Sequence, residues 1–419
     1  MFFGRKRPQK ENLPGRIDAV DEIDVSDEEL EDAVAATNPY YAKVASVYSA
    51  ARYILFVFLV LLISVSAIRN SESITYDNLM FLMKDLGSVA EASGGDFETV
   101  TYNPDTTISF SGFRKNLAVA TPSGLKIYEG DGDLSFEGSD RFSNPLIETC
   151  DRYLLVYDFG GASFALYNSF ARIYSEKLDY HITGADISDS GIFAVVSRTK
   201  EYNSAVLLYT KNCKLKNRYL SSDRVIDISL NDDGTRICIL SFGVENASFK
   251  TKIMITKPGE DTPMTSLELE DVFPLSCNYT SDGNLTVLCD KALYFYDGDG
   301  NLKGSCGLEG EPEAVCLCDE ASVISFSKIS TAVGSYIMVF DSQGNTVYSG
   351  DGDRMTADVG YSEGYLFSLS GNILTRTDIR TDEKVLKEVS GSGKKMIVYS
   401  KDDVMICSSS SAEYYDFSE

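Results

Sequence analysis

The sequence predicts an all-β fold: an eight-bladed β-propeller, with seven blades as the alternative, preceded by a single transmembrane helix and a short membrane-proximal helix. Three observations carry this. From about residue 97 onward, short runs of β-branched and aromatic residues alternate with Gly/Asp/Asn turns. A strand–turn–strand signature recurs with a period of roughly 40 residues. One uncharged apolar run, Tyr53 to Ile68, is bracketed by Arg52 and Arg69.

The apolar run comes first in the chain. At about 1.5 Å per residue it reaches ~24 Å, a little less than a ~30 Å hydrocarbon core. Ala50 and Ala51 extend it, and the flanking arginines can snorkel toward headgroups. Val65-Ser66-Ala67 has the small residues of a cleavage site, but 52 residues stand before the run, too many for a signal peptide. The segment therefore reads as an uncleaved signal anchor. Arg5, Lys6, Arg7, Lys10, Arg16, Lys43 and Arg52 precede it, and only Arg69 and Lys84 follow nearby. Positive-inside bias then places the N-terminus in the cytoplasm and the bulk of the chain outside the cell membrane. The expected domains are a tail (1–52), the span (53–68), a membrane-proximal helix and linker (69–96) and an extracytoplasmic propeller (97–419).

Charge is segregated within the tail. Residues 1–16 hold five bases and one acid, whereas 17–32 hold nine acids and no base. Such a segment stays unfolded when alone. Ile23, Val25, Glu28, Glu29 and Leu30 interleave apolar and acidic groups and are the candidate contacts for a cytoplasmic partner. Past Arg52, 31 bases face 53 acids, which argues against nucleic acid as a partner. The nine cysteines are odd in number and widely spread, unlike a disulfide framework, and read as buried small residues in strands. Cys316-x-Cys318 offers too few ligands for a structural zinc site.

Residues 74–92 keep Leu79, Leu82, Met83, Leu86 and Val89 on one helical face and are read as a bracket against the β domain. Three strong turns follow: Ser188-Asp189-Ser190-Gly191, Asn231-Asp232-Asp233-Gly234 and Thr280-Ser281-Asp282-Gly283. In each, Asp bends the chain and Gly supplies positive φ. Weaker copies lie near Arg114, Asp151, Glu320, Glu363 and Asp402, for eight in all. A second mark, an aromatic strand and then a polar glycine turn, follows at Tyr128-Glu129-Gly130, Tyr296-Asp297-Gly298 and Phe340-Asp341-Ser342-Gln343-Gly344. Four strands per period is a propeller blade. Tail strands at Met396–Ser400, Val404–Ser408 and Tyr414–Phe417 lack a fourth, which Phe97–Tyr102 can supply to close the ring.

On these turns, residues 97–419 resemble the WD40 and quinoprotein-like propeller superfamilies, without their Gly-His and Trp-Asp marks. The whole layout resembles uncharacterised bacterial membrane-anchored propeller proteins, a resemblance that implies no activity. Quinone-dependent propellers stack tryptophans, and this chain has none. No cofactor is expected.

Catalytic residue types are scarce. His181 is the only histidine and reads as structural. Asp297, Asp299 and Asn301 match the first three ligand positions of a calcium loop, but Leu302 and Leu308 stand where glycine and glutamate belong. They are weak calcium candidates, and no metal site and no catalytic residue is assigned. The expected function is a membrane-anchored, non-enzymatic binding or scaffold module for an envelope protein or glycan. The alternative is an envelope glycan hydrolase or lyase, for which two or three inward acids beside an aromatic platform would speak.

Overall fold

The structure, a computed structural model, describes residues 47, 48, 50–61 and 99–418, apart from positions 104–106, 131, 246–247, 309, 311, 328–334, 353–354 and 392. It divides into two units, 1–78 and 79–419. In the first, residues 50–61 are helical and exposed. Among the described residues, no helix is long and apolar enough to cross a membrane. The helical stretch covers only the first part of the expected span, and residues 62–68 lie outside the described set. The acidic tail motif and the expected helix over 74–92 also lie outside it.

The second unit is a ring of eight four-stranded antiparallel sheets. Blades 1 to 7 occupy residues 109–138, 145–177, 182–221, 224–270, 274–307, 312–352 and 358–388 in order. Blade 8 combines Lys395–Val398, Asp403–Cys407 and Ser411–Asp416 with Val100–Thr101 as its outermost strand. This is the closure read from the sequence, and it settles the blade count at eight rather than seven.

Strand character follows position in the blade. Middle strands are covered on both faces and are buried and largely apolar throughout, as in Leu154–Asp158, Phe193–Ser197 and Leu285–Cys289. Outer strands alternate, as in Thr265–Glu270 and Leu302–Gly307. Apolar clusters fill the seams between neighbouring blades. With no tryptophan available, Phe and Tyr carry the bulk. At the seam of blades 2 and 3, Phe193 stacks on Tyr209 at 4.8 Å, with Phe164 edge-on to both.

All eight sequence turns join the first and second strands of their blades. The second mark joins third to fourth strands, so both kinds lie on one side of the ring, the turn face. Glycine is required where turns of neighbouring blades touch. Gly234 has φ +66°, and a Cβ there would meet Ser190 Oγ at 2.4 Å. The opposite side, the loop face, carries the second-to-third and blade-to-blade connections.

Each inner strand pairs on one edge only, leaving backbone N–H groups toward the neighbouring blade. Carboxylates of the preceding blade accept several of them. Leu230 N–H donates to Asp186 at 2.6 Å, Cys277 N–H to Asp227 at 2.9 Å and Met396 N–H to Asp358 at 2.8 Å. Ser229 accepts Tyr279 N–H in the same way at 2.9 Å. The ring is finished by Tyr102, whose N–H donates to Ser410 O at 3.0 Å and whose hydroxyl donates to Ser411 O at 2.7 Å.

Two outcomes test this construction. A chain ending at Ser409 loses the strand between Asp403–Cys407 and Val100–Thr101, and its melting temperature is expected to fall by about 10 °C or more; an unchanged melt refutes the closure. Asp358→Ala orphans Met396 N–H and the Lys395 ammonium 3.6 Å away. It should cost about 1–3 kcal/mol in urea denaturation, with Asp358→Asn recovering most of that.

Candidate functional site

The channel wall is polar on one side. Glu148, Asp186 and Asp227 sit on the inner strands of consecutive blades 2, 3 and 4. A bulge between Val225 and Asp227 re-aims the last of them. Burial pushes the Asp186 carboxyl up to about 7, against opposing hydrogen bonds from Leu230 and Ile187. Burial likewise raises Asp227 to about 6. Glu148 is raised well above the carboxylate range by burial and then by Asp186 and Asp227; the Tyr157 hydroxyl donates to it and Lys395 opposes the shift from across the ring. These are two or three inward acids, the feature set out above as favouring an enzyme. Their oxygens, however, hold backbone N–H groups of the next blade and the Tyr157 hydroxyl. Sequence reasoning did not find them. The available signal was an acid two to four residues before a turn, in the first strand of the repeat.

Around the channel mouth on the turn face, acids converge. Asp319 is raised by burial and then by Asp232, Asp189, Glu320 and Asp151, which come from blades 2, 3, 4 and 6. Several also tie blades together: Asp151 N–H donates to Asp189 at 3.0 Å, and Glu363 N–H donates to Glu320 at 2.8 Å.

The weak calcium candidates form a self-contained turn. Asp297 accepts the N–H groups of Asp299 at 3.0 Å and Asn301 at 2.8 Å, and the Asn301 amide at 2.8 Å. Asp299 pairs with Arg236 at 2.7 Å. The three side chains thus address donors rather than a common point. Asp341 and Asn345 repeat the pattern. Among the described residues, no group of three or more His, Cys, Asp or Glu converges as a metal site.

The loop face differs. Exposed aromatics form an arc over blades 2 to 5: Phe159, Tyr180, Tyr202, Phe249 and Phe273. The long hairpin of Ile237–Glu245 and Ser248–Thr256 gathers the densest part. Phe242 lies 5.5 Å from Phe249 and 4.7 Å from Phe273, and the latter two are 55% and 39% exposed. A groove of about 400 Å³ between blades 2 and 3 is lined by Tyr180, Tyr202 and Leu220, with Arg198, Lys200 and Arg218 among its charged groups. His181 is exposed on this face, its carbonyl accepting from Arg198 N–H and Ser197 Oγ.

All nine cysteines are free thiols; Cys238, Cys277, Cys289 and Cys407 are buried and the others partly so.

The chain belongs to DUF5711, a family of unknown function, whose model matches residues 97–415. No curated protein matches it in sequence. Solved structures share the fold alone. Chaetomium thermophilum Sqt1, described as bound to the N-terminus of ribosomal protein L10, is 12% identical with a TM-score of 0.55, covering 76% of this chain and 98% of that one. BamB from Moraxella catarrhalis is 12% identical with a TM-score of 0.52, covering 77% and 99%. A eukaryotic initiation factor is 13% identical with a TM-score of 0.53, covering 79% and 89%.

The channel acids set a pH dependence. In an unfolded chain Asp ionises near pH ~3.9. Folded, Asp186 and Asp227 keep their protons to about 7 and about 6. The folded state therefore binds more protons across this window. Stability is greatest below it and falls as pH rises through 6 and 7. The melting temperature should drop between pH 5 and pH 8. Asp186→Asn, neutral and still able to accept Leu230 N–H, should make that drop smaller; an equal drop in the variant contradicts the assignment.

Proposed function

We propose that this DUF5711 chain is a non-enzymatic binding or scaffold module that engages a protein partner through its loop face. The observation that carries the reading is the Phe242–Phe249–Phe273 cluster, continued along Tyr202, Tyr180 and Phe159. Aromatic side chains left in water on contiguous blades are the usual anchors of a protein interface. The fold is one on which a relative in structure carries a peptide of ribosomal protein L10.

The apolar run Tyr53–Ile68 and the basic residues before it support a further part of the proposal. The chain is a single-pass cell-membrane protein, the propeller lies outside the cytoplasm, and its partner is a protein or glycan of the cell envelope. The interleaved Ile23, Val25, Glu28, Glu29 and Leu30 would then meet a cytoplasmic partner.

An envelope glycan hydrolase or lyase is the second reading, carried by the inward acids of the channel. It needs those carboxyls free to touch a sugar. Asp186 and Asp227 instead hold Leu230 and Cys277 N–H, and Glu148 holds Tyr157.

Phe249→Ser with Phe273→Ser removes partly exposed rings and their contacts with Phe242, so the variant's melt is measured beside its recovery. Partner recovery after crosslinking of the full-length chain in its own membrane should fall about tenfold or more. Undiminished recovery from this double variant would falsify the loop-face assignment.

A further inference from the structure

We propose that the thiols of Cys316 and Cys318 form a two-coordinate site for a soft monovalent metal ion, Cu(I), at the turn-face end of the seam between blades 6 and 7. The two residues are separated by one position at the end of the inner strand Pro312–Leu317, so their side chains leave on the same side. Both pack toward blade 7, beside Val359 and Tyr361. Each thiol is the largest influence on the other's ionisation, and Cys318 S–H donates to Ala321 O at 3.0 Å. The sulfurs are thus already neighbours. Both residues are partly exposed. A second such thiol pair, Cys238 with Cys277, is sealed within the seam of blades 4 and 5.

The donor set selects the ion. Thiolates favour soft ions, and a d10 monovalent ion is satisfied by two of them in line. Zinc needs four ligands, and no third Cys, His, Asp or Glu converges on the pair among the described residues. With metal–sulfur bonds of about 2.3 Å, a linear bridge holds the sulfurs roughly 4.5 Å apart. Binding replaces two S–H protons, which pass to solvent, by two Cu–S bonds, and no electron is transferred. The acids of the channel mouth, Asp319 and Glu320 on the same turn with Asp151, Asp189 and Asp232 beyond, raise the local concentration of cations. Lys395, within electrostatic reach of Cys316, offsets the negative charge of the bis-thiolate complex.

The test is competition. The reduced full-length chain is titrated with Cu(I) under nitrogen against bicinchoninate, a coloured Cu(I) chelator. One equivalent should be withdrawn from the chelator, with affinity about tenfold or more weaker in Cys316→Ser and in Cys318→Ser, and unchanged in Cys306→Ser. Equal withdrawal by the Cys316→Ser and parent chains overturns the site. Should a variant fold poorly, the parent chain decides alone through iodoacetamide labelling read peptide by peptide. Cu(I) should slow labelling of Cys316 and Cys318 about tenfold while leaving Cys150, Cys213 and Cys306 unaffected. Labelling of the pair that is indifferent to Cu(I) overturns the proposal.

Discussion

The ring depends on what happens at the free edge of each inner strand. Each four-stranded blade keeps one free edge at the rim, open to water, and one around the channel. There, one row of N–H groups per blade has no strand to pair with. An unsatisfied buried N–H costs about 1–3 kcal/mol, enough for a few of them to erase the margin of an ordinary domain. Here Asp186, Asp227, Asp358 and Ser229 reach from one blade to cap the next. Each of these contacts pairs backbone with side chain across a seam and so fixes the angle between blades as well as satisfying a donor. Tyr102 does the corresponding work where the chain's two ends meet.

The same arrangement divides the ring chemically. The turn face is built from hairpins in which Gly234, at positive φ, lies against Ser190 of the neighbouring turn, and its acids are held by neighbouring turns. That side has little freedom to vary without loosening the ring. The loop face carries the connections that do not set blade geometry, and it is there that rings stand in water. Phe249 and Phe273 pack on Phe242 and still leave much of their ring surface in water.

Much of the architecture was legible in the sequence because turn chemistry is local. Positive φ at Gly191, Gly234 and Gly283 is visible in short polar runs of Ser, Thr, Asn and Asp that end in glycine, and a regular period of such turns leaves few folds available. Even the weak copies at Arg114 and Glu363 occupy the equivalent corners, with positive φ borne by non-glycine residues. Closure was legible from the missing fourth strand of the tail. What could not be read depends on how blades face one another. Glu148, Asp186 and Asp227 are ordinary acids in the sequence and become a cluster only when three inner strands are set side by side. Asp297-x-Asp299-x-Asn301 shows the converse limit: that spacing suits oxygen donors around calcium and equally suits a carboxylate accepting N–H groups in its own turn. In the structure it takes the second form.

The central claim is that the channel carboxyls Asp186, Asp227 and Asp358 hold the blades together by accepting N–H groups of the next inner strand. Amide hydrogen exchange at Leu230, Cys277 and Met396 measures this most directly. Protection equal to that of the sheet ladders is the result the account predicts, since those N–H groups would open only with the blades themselves. Exchange as fast as in the exposed turns would contradict it, leaving the carboxyls free to act on a substrate.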